Sequence, residues 1–281
     1  MGISVITNVP SINAQRNLSK TQNMLNKSLG RLSSGLRINS ASDDAAGLGI
    51  SEKLKSQIRS MAQAERNAQD AVSLLQTAEG AMGELAGILT RMRELAVQSA
   101  NDTVGSVERG FINDELSQLR TEFDRIVQVS EFNGTKLLDG TNGPMTFQVG
   151  INNTTNDRIT VNVANLTTSQ VGDTNFSSGL QAINLSTLSG AQASLNILDE
   201  AISDISSERA TMGAFQNRME VTVSNLGSAR ENLSAANSRI RDVDVASESA
   251  NLTKANILSQ AGVSVLAQAN QAPQLALSLI G

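Results

Sequence analysis

The residues best suited to chemistry lie in one short stretch, GLRINSASDDAAGLGISEKL, at positions 35–54. This stretch combines two adjacent carboxylates, Asp43 and Asp44, with three glycines and several hydroxyl side chains. Three kinds of site use such residues: paired carboxylates in acid–base catalysis, oxygen ligands around a metal ion, and a glycine-rich loop around a phosphate. Each kind of site demands a particular spacing, which can be tested on the sequence.

None of the three spacings is present, and the stretch is more typical of a joint between two helices. Adjacent helical residues point about 100° apart, so Asp43 and Asp44 cannot face one substrate. No calcium-loop spacing occurs, and the glycines follow no strand and lack the lysine of a phosphate loop. We expect Gly35 to end one helix and Ser40 or Ser42 to cap the next. Both aspartates then lie in the first turn, where negative charge offsets the helix dipole.

Composition excludes further classes of site. Histidine and cysteine are both absent from the 281 residues, which removes histidine bases, Ser-His and Cys-His nucleophiles, and thiolate or imidazole metal ligands. The net charge of −5 disfavours nucleic acid as a partner. No segment has the roughly 20 apolar residues of a membrane span, and the start of the chain has no basic residue before Arg16, unlike a secretory signal. We therefore expect no enzyme, no cofactor, no metal and no membrane insertion.

Two long heptad runs predict the helices that would position any functional residues. Apolar residues recur at every seventh position in both runs, which predicts two long helices, at about 43–99 and 192–240, that pack against each other. The polar residues Arg209, Gln216 and Arg230 lie beside the second run. A multi-helix bundle with solvent-exposed edges therefore fits better than a tight two-stranded coil. The runs are Leu54, Met61, Ala68, Leu75, Met82, Leu89 and Ala96, and Leu198, Ile205, Met212, Met219, Leu226, Leu233 and Ile240.

Shorter elements complete a mainly α fold: a long antiparallel helical bundle or coiled-coil rod, a small β-hairpin and a pair of terminal helices. Spacings of three and four predict a helix over 104–129, and period-two alternation in MTFQVG and RITVNV predicts the hairpin. Polar residues predict a loop over 164–190. The terminal helices carry narrow stripes that we expect to be self-assembly seams: Leu18, Leu25, Leu29, Leu32 and Leu36 near the start, and Leu258, Val265 and Leu266 near the end, with small Ala255, Gly262 and Ala269.

Four motifs resemble bacterial flagellin: SLGRLSSGLRINSASDDAAGLGISEKL, RMRELAVQSAND, EFNGTKLLDG and NILSQAGVSVLAQANQ. The resemblance covers residues 1 to about 163 and about 190 to 281. It implies a structural subunit that polymerises into the helical, extracellular flagellar filament used for swimming. It also implies the following division: inner-core helices at 1–33 and 247–281, a connecting spoke at 34–46, a rod at 47–163 and 191–241, and a variable loop at 164–190, too short for an outer domain.

The same resemblance implies partners. It predicts secretion through the flagellum's own export channel, an export chaperone on the C-terminal helix, cap and junction proteins at the filament ends, and many further copies of the chain. It also predicts contact with an innate immune receptor through Arg91, Leu95 and Glu115, although Arg91 and Glu115 are equally well explained as surface charges and Leu95 lies near the heptad seam.

Three alternatives compete with this interpretation. A hook–filament junction protein shares the terminal helices, but intact RMRELAVQSAN and EFNGTKLLDG favour a flagellin. A flagellin with a zinc-protease insert needs HExxH, and the chain has no histidine. An intracellular coiled-coil adaptor leaves the matched motifs at both ends unexplained.

Overall fold

The computed structural model describes residues 7–163, 165–168, 170–171 and 179–278. Its long elements are helices, which confirms the mainly α fold. By compactness the chain divides into a terminal unit, residues 1–58 with 231–281, and a central unit, residues 59–230. The helices are α1 (Val9–Ser34), α2 (Ala45–Ser99), α3 (Ser106–Val129), α4 (Leu188–Arg241) and α5 (Val245–Ser278).

The core of the central unit forms along the later part of the first heptad run and the earlier part of the second. Leu75, Met82 and Leu89 from α2 are fully buried, as are Leu198, Ile205, Met212 and Met219 from α4. The members at the opposite end of each run are only half-buried: Leu54 and Met61 at the start of the first, and Leu226, Leu233 and Ile240 at the end of the second. Phe123 of α3 adds a fully buried ring to the same core. The heptad positions therefore differ in burial along each helix, although their spacing is uniform.

Helix α4 begins at Leu188, a few residues earlier than the heptads predict. The hydroxyl oxygen of Thr187 accepts a hydrogen bond from the backbone N–H of Gly190 at 3.1 Å, and the carbonyl of Thr187 accepts the first helical bond from Ala191. Thr187 is thus an N-cap of a preferred type, and it lies outside the apolar repeat from which the helix was inferred.

The predicted β-hairpin is confirmed. Strand β3 (Met145–Gln148) pairs antiparallel with β4 (Arg158–Val161), in a register that sets Met145 opposite Val161 and Phe147 opposite Ile159. A short 3₁₀ turn, Thr155–Asp157, precedes β4. Ile159 and Val161 are buried against the central core, while Arg158 and Thr160 are exposed, which is the alternation expected of a half-buried strand.

A second, smaller hairpin was not predicted. Strand β1 (Glu131–Phe132) pairs with β2 (Thr135–Lys136) across the turn residues Asn133 and Gly134, whose φ angles are 50° and 76°. Positive φ at both central residues matches the type I′ turn that favours Asn-Gly. The Asn-Gly pair in the sequence motif EFNGTK carried the signal for this hairpin.

The described parts of 164–190 depart from the expected surface loop. The segment holds a 3₁₀ turn, Gly179–Ala182, and five buried apolar residues: Leu166, Val171, Leu180, Ile183 and Leu185. Thr168 donates through its backbone N–H and its hydroxyl to the carboxylate of Asp124, at 3.2 and 3.0 Å. The segment therefore packs on the central core. Its apolar residues follow no regular period, so periodicity could not reveal them; residues 164, 169 and 172–178 lie outside the described structure.

Candidate assembly surface

Helices α1 and α5 lie antiparallel and close together in the terminal unit. The residues that α1 buries are small or polar and recur every seven positions: Ala14, Thr21 and Ser28. On α5, Ala255 is 4 % exposed, and a Cβ placed on Gly262 would lie 3.3 Å from Cδ1 of Leu18. Small side chains on both helices thus allow the two backbones to approach closely, at the expense of apolar area buried between them.

Polar contacts fix both ends of this helix pair. At the start of α1, Asn8 accepts from the backbone N–H of Ser11 at 3.1 Å and donates to the carbonyl of Ala269 at 2.7 Å. Near the other end, the guanidinium of Arg31 lies 3.6 Å from the buried carboxylate of Glu248. These contacts hold the two helices in one antiparallel register.

Large apolar side chains remain exposed on both terminal helices. Their exposed fractions lie between 43 % and 61 %. The predicted seam residues Leu29, Leu258 and Val265 belong to this set, while Leu18, Leu25, Leu32, Leu36 and Leu266 are half-buried. Small residues form the contact between the two helices, so the leucine stripe is not fully buried within one chain. The exposed set is Val9, Ile12, Met24, Leu29, Val245, Ile257, Leu258, Val263 and Val265.

The joint between α1 and α2 is built differently from the expectation. Gly35 does end α1, in the left-handed conformation with φ 71°. The side chain of Asp44 accepts a hydrogen bond from the backbone N–H of Gly47 at 2.8 Å, so Asp44 caps α2. The predicted cap at Ser40 or Ser42 is wrong, and neither aspartate lies within the first turn of α2, which begins at Ala45.

Asp43 has a different role in the joint. Its carboxylate accepts from the backbone N–H groups of Asn39 and Ser40, both at 3.3 Å, and lies 2.7 Å from Nζ of Lys27 on α1. The hydrogen bond from Lys27, followed by the backbone bonds, lowers the pKa of Asp43 to about 2. Asp43 therefore links the joint to α1. The separate structural roles of Asp43 and Asp44 explain the adjacent carboxylates without catalysis.

The second connection, between α4 and α5, is hydrogen-bonded to the first. The backbone N–H of Val243 donates to the carbonyl of Gly35 at 3.0 Å, and that of Arg37 donates to the carbonyl of Arg241 at 2.6 Å. The guanidinium of Arg37 also donates to the carbonyl of Ile240 at the end of α4. The two connections thus form a short antiparallel bridge around Leu36 and Asp242.

The residues assigned to immune recognition are only partly at the surface. Arg91 donates from Nε and Nη2 to one carboxylate oxygen of Glu115 at 3.0 and 2.8 Å, and from Nη1 to Glu94 at 3.0 Å. These bonds, the one to Glu115 first, raise the pKa of Arg91 further. Leu95 is 1 % exposed and belongs to the core of the central unit. The structure therefore brings Arg91 and Glu115 together on the surface and places Leu95 beneath it.

The described residues contain neither a metal-binding cluster nor a membrane-spanning helix. Over 7–163, 165–168, 170–171 and 179–278, no group of three or more acidic side chains is arranged to hold a metal ion. Within the same ranges, no helix combines the length and the apolar character needed to cross a bilayer.

The terminal pair, with its small internal contact and its exposed apolar rows, defines a structural protein of the self-assembling helical class. Comparison with known proteins identifies the family. The model of the bacterial flagellin N-terminal helical region matches residues 5–143, and that of the C-terminal helical region matches residues 195–280. The chain belongs to the bacterial flagellin family, whose members are structural subunits of the flagellar filament.

Individual relatives agree with this assignment. The chain is 46 % identical to a flagellin of Halalkalibacterium halodurans and 43 % identical to one of Bacillus subtilis, each over 97 % of this chain and 98 % of the relative. It is 43 % identical, with the same coverage, to the flagellar filament 33 kDa core protein of Treponema phagedenis. The filament-subunit prediction is confirmed by these matches.

Solved structures support the fold. The crystal structure of Bacillus cereus flagellin is 33 % identical to this chain, with a TM-score of 0.50 over 61 % of this chain and 94 % of that one. A flagellar hook-associated protein from Vibrio parahaemolyticus has a TM-score of 0.61 over 71 % of this chain and 100 % of that one, at 16 % identity. That likeness is one of fold alone, and it does not favour the hook–filament junction alternative over flagellin.

Proposed function

We propose that the terminal unit is the part through which copies of this flagellin join, and that α1 and α5 form the inner layer of the filament. The observation that carries the proposal is a set of exposed large apolar side chains, nine among those described on α1 and α5, on two helices whose mutual contact is made by small residues. Neighbouring copies would cover these side chains. The central unit would form the outer, load-bearing layer, and residues 34–46 would connect the two layers.

Magnitudes support assembly through many side chains rather than through one contact. Fully burying a Val, Leu, Ile or Met side chain contributes about 1.5–3 kcal/mol, so completing the burial of a half-exposed one contributes about 1 kcal/mol. The nine together provide roughly 10 kcal/mol, which is comparable with the 4–15 kcal/mol that association costs. Each subunit therefore needs most of the set, and the surface is shared among several neighbours.

The geometry of repeated contacts favours an open polymer. Head-to-tail contacts that use two different surfaces form rings if the rotation closes and helical filaments if it does not. A pair of antiparallel helices with different sequences presents different surfaces on α1 and α5. Repetition of such contacts gives the helical filament that the family builds.

Substitution at one exposed position of α5 tests the proposal. Ile257 is 61 % exposed on α5 and Val221 is 61 % exposed on α4 in the central unit, so Ile257→Gln and Val221→Gln remove similar surface from different places. We expect Ile257→Gln to raise the monomer concentration needed for seeded growth about tenfold, as a loss of about 1.4 kcal/mol per subunit would. Val221→Gln should change it less than twofold. Equal growth of the two variants, measured by light scattering, would overturn the proposal.

Export is proposed to use the same surface before assembly. A chaperone that covers the exposed apolar face of α5 would keep subunits apart inside the cell. After export the chaperone would no longer be bound, and neighbouring subunits of the filament would cover the same face. The chain would pass through the flagellum's own channel to the outside, and cap and junction proteins would contact the ends of the filament. The chaperone and the neighbouring subunits would compete, because they bind the same surface. Ile257→Gln should therefore weaken chaperone binding in titration calorimetry, whereas Val221→Gln should not.

Immune recognition is proposed to involve the surface pair Arg91 and Glu115, with Leu95 supporting it from below. Arg93 provides a matched control, because it lies two residues away, is 44 % exposed against 50 % for Arg91, and is paired with Asp199 as Arg91 is with Glu115. Arg91→Ala should reduce receptor signalling by monomer at least tenfold, while Arg93→Ala should reduce it less than threefold. Similar dose–response curves for the two variants would reject this contact.

A further inference from the structure

Three charged pairs cross between α2 and α4 in the central unit, and we call them the charge ladder. They recur about every fourteen residues along α2, which is every second heptad. In the first two the acid lies on α2, and in the third the base does. Gln216 donates a further hydrogen bond to Glu79 at 3.2 Å. The ladder consists of Glu65–Arg230 at 2.7 Å, Glu79–Arg209 at 3.7 Å and Arg93–Asp199 at 2.5 Å.

The apolar seam between the same helices does not define one alignment by itself. In the register of the ladder, each heptad residue of α2 faces one heptad residue of α4, for example Met82 facing Met212. Both runs repeat strictly every seven residues. Sliding α4 by seven residues, about 10 Å along the axis, would therefore still set apolar residues against apolar residues.

The ladder does not survive such a slide. In one direction, Glu65 would face Asn237 and Arg93 would face Ser206. In the other direction, Glu65 would face Val223 and Arg93 would face Gln192. In the first slide Glu79 would face Gln216, so no ion pair of the ladder would remain. In the second slide Arg209 would take the place of Gln216 beside Glu79, so two of the three ion pairs would be lost. Charged pairs at fourteen-residue spacing thus distinguish alignments that a seven-residue apolar repeat cannot.

We propose that the charge ladder selects the register of α2 against α4 during folding and excludes the two alignments displaced by one heptad. Exposed ion pairs contribute little to stability individually, and each pair of the ladder is partly exposed. A difference of two or three pairs between otherwise similar seams is nevertheless enough to select one of them. The acid lies on α2 in the first two pairs and on α4 in the third, so the charge pattern also differs between the two directions along the helices.

The full-length chain permits a direct distance measurement, because it contains no cysteine. Thr90→Cys on α2 and Ser224→Cys on α4 place spin labels at two exposed positions of the central unit. In the register of the ladder these positions are offset by about 21 residues, or roughly 30 Å along the helices, and a heptad slide changes that by about 10 Å. Pulsed electron paramagnetic resonance after refolding from denaturant should give one distance for the otherwise unchanged chain.

Three charge variants then distinguish register selection from general stabilisation. Reversing the α2 side, with Glu65→Arg, Glu79→Arg and Arg93→Glu, should raise the population at a distance displaced by about 10 Å roughly tenfold, the amount expected if each pair contributes what exposed pairs usually do. Reversing α4 as well, with Arg230→Glu, Arg209→Glu and Asp199→Arg, should restore the single native distance. A folded one-sided variant with only the native distance would overturn the proposal.

A neutral variant covers the case in which the reversed chain fails to fold. Replacing Glu65, Glu79 and Arg93 by glutamine removes attraction without adding repulsion. A displaced distance population in this variant supports register selection, and a single native distance overturns it. Thermal denaturation of the same samples reports the loss of stability separately from the choice of register.

Discussion

Gly47 packs against Ile38 at the start of α2, and a Cβ on Gly47 would lie only 2.7 Å from Cδ1 of Ile38 and nearer still to the carboxylate of Asp44. Ile38 is 2 % exposed, so it has little room to move. The neighbouring Gly49 has no such constraint, since no atom lies within 4 Å of the position its Cβ would take. The two glycines therefore differ in what they do, although they lie only two residues apart.

Substitution of each glycine by alanine should separate their roles. Gly47→Ala should destabilise the free chain by about 1–3 kcal/mol, the usual cost of overpacking, and should bias the shape of the assembled filament. Gly49→Ala should be neutral or stabilising by up to about 1 kcal/mol, because alanine is the better helix former. Denaturant titration and microscopy of filament waveform measure the two effects; equal behaviour of both variants would contradict this account.

The contact between Lys27 and Asp43 should make the joint sensitive to acid. The pKa of Asp43 is lowered in the folded chain from 3.8 to about 2, so the folded state favours the ionised carboxylate. The resulting stabilisation is fully present above about pH 4 and is lost as the pH falls towards 2. Lys27→Met should remove this part of the pH dependence.

Thermal unfolding between pH 2 and 6 checks that prediction. The lowered pKa values of Glu122 and Asp139 contribute acid sensitivity of the same sign, and these remain in Lys27→Met. The informative quantity is therefore the difference between the two proteins, which should shrink as the pH falls from 4 to 2. A difference that stays constant with pH would show that Lys27 acts through packing alone.

The small hairpin at 131–136 offers a test of backbone conformation with an internal control. Gly134 has φ 76°, so alanine there should cost about 1–2 kcal/mol, the strain of a left-handed residue. Gly143 also follows an asparagine, but it has no positive φ and no atom near its missing Cβ. Gly143→Ala should therefore change the free energy of unfolding by less than about 0.5 kcal/mol. Equal losses in urea titration would argue against the turn assignment.

The regular elements were predictable because their signals are periodic. Repeats of seven predicted α2 and α4, and alternation of two predicted the hairpin in which the structure sets Met145 opposite Val161. The local details were decided by competing neighbours of similar chemistry. Ser40, Ser42, Asp43 and Asp44 can all cap a helix, and only the folded chain shows Asp44 bonded to Gly47 and Asp43 bonded to Lys27.

The assembly surface was harder to infer, because one stripe of leucines has two possible partners. The sequence could not show whether residues such as Leu29 would contact α5 or another copy. The presence of Ala14, Thr21 and Ser28 at sevens on α1 was the missed signal, since small residues mark the side on which two helices approach closely. Similarly, the buried Leu185 lies in a segment without any period, so its place in the core depends on tertiary packing alone.

The close approach of α1 and α5 should be sensitive to the size of the residue at position 262. A Cβ on Gly262 would lie 3.3 Å from Cδ1 of Leu18, so alanine can be accommodated by a small movement of that methyl group, whereas leucine cannot. Gly262→Leu should push the helices apart and increase amide hydrogen exchange along α1 at least tenfold. Gly30→Leu is the matched control, because Gly30 lies within α1 with no atom within 4 Å of its Cβ position. It should leave exchange unchanged or slower, as leucine favours helix over glycine. Similar exchange rates in the two variants of the free chain would show that α1 and α5 do not depend on a small residue between them.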